Sequence, residues 1–206
     1  KEDTTWAKKG HIVAREQIRL TGAPQSPSLP PATNLKAAED KDLIIYDDNA
    51  RTLVFDKKTG QLTTYQIGDR QLIDSPLHLN FWRPPVDNDR ANNFGPRSGM
   101  WRNAGPNATV TKVTKPAPNS LSFDLKIPAG DTTGNITYTI LADGNIDVKV
   151  TVTPKGKVGP LPRLGMQCTV PNSYNQVSWF GNGPHETYAD RKAGVNRLIL
   201  RRAHHK

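Results

Sequence analysis

Short runs of strand-forming residues recur along this chain, and almost every gap between them holds proline, glycine, asparagine or aspartate. Residues 43–46 and 52–55 are bounded by Asp47-Asp48-Asn49 and by Lys57-Lys58-Thr59-Gly60, and residues 61–67 alternate until Gly68-Asp69. These three segments predict a meander of hairpins. Residues 108–113, 121–127 and 136–141 follow, each set apart by Pro, Gly and Asn clusters. Ala142-Asp143-Gly144-Asn145 predicts a hairpin turn into residues 146–152, where Ile146, Val148 and Val150 alternate with Asp147, Lys149 and Thr151. Residues 165–170 and 176–180 close the series, and only the stretch near 99–103 reads as a helical turn. Strands without intervening helical periodicity pair antiparallel, and this many need two packed sheets. The expected fold class is therefore all-β, an antiparallel β-sandwich.

Composition agrees, because 17 prolines and 16 glycines favour turns over long helices. A chain of 206 residues has room for one full domain, or one domain with part of another. Residues 11–20 predict a strand with Ile12, Ala14 and Ile18 on one face and Arg15, Gln17 and Arg19 on the other. Pro24, Pro27, Pro30 and Pro31 then crowd a stretch that lacks ladder donors, so residues 22–33 are expected to form an extended linker between residues 1–21 and 34–206.

The formal charge of +9 raises the question of a nucleic-acid partner. Lys and Arg are scattered over turns and strands without a basic stripe interleaved with aromatics, so none is expected. The dense group Arg201, Arg202 and Lys206 sits at the C-terminus, where a solvated tail accounts for it. No apolar run reaches the roughly 20 residues of a membrane helix, and no membrane partner is expected. Cys168 is the single cysteine, which excludes an intrachain disulfide and a thiolate metal cluster. The chain starts without Met, as a fragment would, and its compartment stays open between cytoplasm and periplasm.

The densest constellation is Asn80-Phe81-Trp82-Arg83-Pro84-Pro85-Val86-Asp87-Asn88-Asp89. Aromatic faces stack on sugar C–H surfaces, and Asp and Asn side chains bond sugar hydroxyls, so a carbohydrate-facing loop is chemically sensible. Asp87 and Asp89 could instead be an acid/base pair. A third reading is a rigid turn, its carboxylates bonding local amides and pairing with Arg83 or Arg90. A calcium loop fails, because Ala91 and Asn92 stand where a ligand and the glycine belong. A second constellation holds Gly183, Pro184, His185, Glu186, Tyr188, Asp190 and Arg191. It lacks the Lys-Ser/Thr of a phosphate loop and reads better as a structural polar network than as a catalytic one. The histidines lack metal-ligand spacing and there is no Gly-x-Ser-x-Gly elbow, so no metal site and no serine hydrolase is expected.

Phe81-Trp82-Arg83-Pro84-Pro85-Val86-Asp87-Asn88-Asp89 resembles a motif of family-2 β-galactosidases that opens their last sheet domain. Leu161-Pro162-Arg163-Leu164-Gly165, Val177-Ser178-Trp179-Phe180-Gly181 and the stretch from Gly183 to Arg191 are similar to later motifs of that domain, in the same order. Trp6-Ala7, Gly10-His11-Ile12-Val13-Ala14 and Glu16-Gln17 resemble the last strands of a preceding immunoglobulin-like domain. Pro84, and Arg90-Ala91 in place of a Gly-rich exit, depart from the pattern.

The resemblance implies a galactose-mutarotase-like supersandwich, incomplete here and preceded by the end of an immunoglobulin-like domain. It implies a bacterial parent enzyme that hydrolyses terminal β-D-galactosides with retention through two glutamates on a barrel. Glu2, Glu16, Glu39 and Glu186 match neither glutamate motif, so no catalytic residue is expected in this chain. Cofactors would be Mg or Na in that barrel and none here. The expected partners are the β-galactoside substrate, the barrel and a possible second copy of the enzyme. Trp82, Asp87, Asn88, Asp89, Asn92, Asn93 and Phe94 are expected to border the substrate, whereas Gly183, Pro184, Glu186, Tyr188, Asp190 and Arg191 are structural. The family's sheet continues for about a hundred further residues, so exposed or swapped edges are expected around residues 163–180. The alternatives are a free-standing carbohydrate-binding module and a subunit-interface module.

Overall fold

A computed structural model describes residues 2–12, 18, 29–183 and 187, with the backbone of 196–203. The chain divides into two compact units, one of Lys1–Pro27 with Asn172–Lys206 and one of Ser28–Pro171. None of the helices among the described residues is long and apolar enough to cross a membrane.

The Ser28–Pro171 unit is built from two antiparallel sheets. The first has the order β1 (Lys36–Glu39), β2 (Leu43–Asp47), β3 (Arg51–Asp56), β4 (Leu62–Ile67), β5 (Arg70–Gln71). The second comprises β7 (Thr109–Ala117), β8 (Ser120–Lys126), β9 (Thr133–Ile140) and β10 (Ile146–Thr153), each paired with its sequence neighbour. A short pair joins β6 (His78–Asn80) to β11 (Gly165–Gln167). The all-β, antiparallel expectation therefore holds. Every expected hairpin between residues 43 and 152 is present, with ends shifted by up to a few residues.

Alternation explains the core. Ile44, Tyr46, Leu53, Phe55 and Leu62 from one sheet are buried together with Leu121, Phe123, Leu125, Ile136, Tyr138 and Ile140 from the other. Phe55 is central, with ring centroids 4.9 Å from Tyr138, 6.1 Å from Tyr46 and 6.4 Å from Phe123. Such side chains contribute about 1.5–3 kcal/mol each by leaving water. Of the two hydroxyls they bring, from Tyr46 and Tyr138, that of Tyr138 donates to the Gly60 carbonyl at 3.1 Å. Gly60 has φ +69°, and a Cβ there would meet the Phe123 side chain at 3.1 Å, so the turn is glycine for two reasons. The outer faces are polar: Asn135 donates to Asp124 at 2.7 Å and to Ser122 at 2.9 Å.

Glu39 on β1 ties the sheets together at their edge. It receives the ammonium of Lys115 on β7 at 2.5 Å and that of Lys57 at 2.7 Å. The Lys115 bond first, and the Lys57 bond next, hold its carboxyl down at about 2 against an ordinary 4.5. A depressed carboxyl stabilises the fold above its ordinary value, and that contribution is lost as pH falls from 4.5 toward 2. Carbon-detected NMR titration is expected to give Glu39 a midpoint near 2, moving toward 4.5 in Lys115→Met. A wild-type midpoint near 4.5 would show that the clamp does not form.

Three findings differ from the sequence reading. The segment after Pro85, read as an irregular loop, contains one-turn helices α1 (Asp87–Ala91) and α2 (Phe94–Ser98), followed by a 3-10 turn at Gly99–Trp101. Asp89 reaches back to the Val86 amide at 2.8 Å, and Asp87 and Asp89 in the first turn suit the positive end of the helix. Asn93, at φ 50°, separates the two turns. Second, the end of the proline-rich stretch is laid against the second sheet. The Ala32 amide donates to Ile140 and the Ala142 amide to Pro30, both at 3.0 Å, and Ala32 is buried. Pro31 fits because neither bond uses its missing donor. Third, β1, β5, β6 and a strand at Asn196–Ala203 form in segments where no strand was expected, and the last takes in Arg201 and Arg202, read from sequence as a solvated tail.

The other unit contains β12 (Gln176–Gly183), paired antiparallel with β13 (Asn196–Ala203) as a two-stranded sheet. Val177, Trp179 and Phe180 on β12 are exposed, as are Leu161, Leu164 and Val170 in the unit before it. The expected strand over 11–20 lies outside the described residues except for His11, Ile12 and Ile18, and both isoleucines are exposed.

Candidate functional site

The chain turns away from β6 through Phe81, and consecutive side chains part company there. Phe81 points inward and is buried with Trp101, their ring centroids 5.5 Å apart and edge-on. Trp101 donates its indole N–H to the Gly159 carbonyl at 2.9 Å, and Ser98 donates to the Pro160 carbonyl at 3.0 Å. A Cβ on Gly159 would lie 1.6 Å from the Arg97 carbonyl oxygen, so backbone packs directly on backbone there. This contact seats the two short helices on the sandwich.

Trp82 stays half-buried on the other side, its amide held by the Asn80 side chain at 2.9 Å. Its ring meets Phe94 from α2 at 4.9 Å between centroids, tilted by 36°. The Arg83 guanidinium lies 5.0 Å from the centre of the Phe94 ring, and that of Arg102 lies 5.9 Å from Trp82. Together with Pro85, Asp89, Arg90, Asn93, Gly95 and Pro96, Trp82, Phe94 and Arg102 enclose a cleft of about 420 Å³.

Asp89 is fully engaged. Arg83 grips both its oxygens, at 2.5 and 3.0 Å, and the Val86 amide adds a third bond at 2.8 Å. The Arg83 bond, then the Val86 amide, hold its carboxyl below the ordinary range, so it stays ionised and has no proton to give near neutral pH. Asp87 is wholly exposed on α1, with Arg90 at 3.8 Å. Of the three readings of these carboxylates, the geometry favours the rigid turn with local amide and arginine partners.

Of the residues expected to border a substrate, Trp82, Asp89, Asn93 and Phe94 line the cleft, whereas Asp87, Asn88 and Asn92 do not. Asn88 is exposed on α1, and Asn92 is bonded through its carbonyl and side-chain oxygens by Arg97. Arg102 was not foreseen. It directly follows the 3-10 turn at Gly99–Trp101, and nothing in its sequence neighbours signals that the turn folds back over Trp82. In the second constellation Gly183 is buried at the end of β12, opposite Asn196, while Pro184, Glu186, Tyr188, Asp190 and Arg191 lie outside the described residues.

A family model described as "Beta galactosidase small chain" matches residues 47–198, which include the whole cleft. The chain belongs to the β-galactosidase small-chain family. It is 31% identical over 202 residues to a β-galactosidase of Priestia megaterium, covering 96% of this chain and 20% of the relative. A β-galactosidase of Psychromonas ingrahamii is 30% identical over 215 residues, and one of Vibrio cholerae 28% over 209. These alignments cover 92% and 93% of this chain and 20% of each relative. The chain thus spans about a fifth of the length of the curated relatives it matches.

Proposed function

We propose that this chain is the C-terminal sheet portion of a retaining β-galactosidase, bordering the active site without supplying its carboxylates. The observation that carries this reading is the family match over residues 47–198 in a chain that aligns with only a fifth of its β-galactosidase relatives. Asp89 supports it, since a carboxylate held by Arg83 and an amide orders the loop instead of transferring protons. The parent's substrate is then a terminal β-D-galactoside, cleaved by two barrel glutamates, and its barrel is this chain's partner. Mg or Na belongs with that barrel. Among the described residues no group of three or more His, Cys, Asp or Glu comes together to hold a metal.

Incubated with a chromogenic β-galactoside, this chain is expected to show no turnover above buffer. Turnover abolished by Asp87→Asn or Asp89→Asn would overturn the proposal. The half-buried indole beside Phe94 favours one second reading, a free-standing carbohydrate-binding module. On that reading calorimetry detects millimolar or tighter binding of lactose that disappears in Trp82→Ala.

A further inference from the structure

The charge around the Trp82 cleft is unbalanced. Asp89, the one carboxylate lining it among the described residues, is already neutralised by both guanidinium nitrogens of Arg83. Arg102 lines the same cleft, and among the described residues its guanidinium has no hydrogen bond or ion pair, only the Trp82 ring 5.9 Å away. Arg90 adds a second cation at the rim, its nearest carboxylate being the wholly exposed Asp87 at 3.8 Å. A guanidinium lying against an indole keeps its N–H fork free for a planar or tetrahedral oxyanion. Next to it, Trp82 and Phe94 present an apolar wall suited to the C–H face of a pyranose. The volume of about 420 Å³ accommodates one sugar ring with a substituent.

We infer that the cleft receives a sugar unit bearing an anionic oxygen group, carboxylate or phosphate, with the ring on Trp82 and the anion on Arg102. This rests on the proposed reading that the cleft faces substrate, and it makes Arg102 the residue that sets specificity there. A neutral galactoside would leave the Arg102 fork facing water. An anionic one gains a charge-assisted pair whose strength falls as salt rises.

Tryptophan fluorescence of the 206-residue chain, titrated with galactose, galacturonate and galactose 6-phosphate, tests it. Trp82→Phe identifies which part of the signal comes from the cleft. At least one anionic sugar is expected to bind about tenfold tighter than galactose, the ratio that one charge-assisted hydrogen bond supports. That advantage disappears in Arg102→Met and is partly kept in Arg102→Lys, and the tighter of the two anions shows whether carboxylate or phosphate is preferred. Because Arg102 is exposed, both variants are expected to melt with the wild type. Equal affinity for galactose and the anions, or a preference that survives Arg102→Met, overturns the inference and leaves the sugar-facing role of the cleft intact. No response to any sugar also overturns the inference, whereas the proposed function stands or falls separately on the turnover assay.

Discussion

Trp101→Ala is expected to destabilise the sandwich unit by about 4 kcal/mol, within the range of large-to-small changes at buried aromatic positions. The indole is fully buried, it packs edge-on against Phe81, and its N–H is the partner of the Gly159 carbonyl. Truncation therefore opens a cavity and also leaves a carbonyl without its donor. The surroundings have little freedom to collapse, because Gly159 already touches the Arg97 backbone with no side chain between them. A loss of this size is a large share of the roughly 5–15 kcal/mol that holds a domain folded. Urea unfolding should show a lower midpoint with an unchanged slope. Trp101→Phe, which keeps most of the volume and loses the N–H, should fall between the two. A loss below about 1 kcal/mol for Trp101→Ala would mean that the helical segment is not seated through this residue.

The sandwich was legible because its strands follow the simplest rule available. Ile44, Tyr46, Leu53 and Phe55 alternate with half-exposed neighbours, and glycine, asparagine or aspartate stands at nearly every turn. Period-two burial of this kind survives tertiary context, since one slip of register would expose the whole set. β1 escaped notice because Lys-Ala-Ala-Glu is exposed throughout and carries no hydrophobic alternation. It exists through pairing with β2 and through the Glu39 clamp, which are long-range contacts.

The cleft was half legible. Trp82, Asp89, Asn93 and Phe94 stand out as aromatic and polar residues crowded around Pro84-Pro85. The two helical turns were missed because five-residue helices bury only Ser98 and so have no apolar periodicity to read. The available signal was local: a carboxylate at Asp89, three residues after Val86, able to return to the Val86 amide. Arg102 was invisible for a different reason. Its position over Trp82 depends on Trp101 being buried next to Phe81, a contact that sequence spacing does not encode.

The central claim is that this chain meets substrate through Trp82 while the chemistry is done elsewhere. Steady-state kinetics of a β-galactosidase carrying this chain, with Trp82→Ala, test that claim most directly. The indole is half-buried and its side chain makes no hydrogen bond among the described residues, so the melting temperature should stay within about 3 °C of the parent. With one stacking face removed from the substrate's path, kcat/KM should fall about tenfold, and hydrolysis should persist. A kcat/KM equal to the parent's at the same melting temperature would contradict the claim.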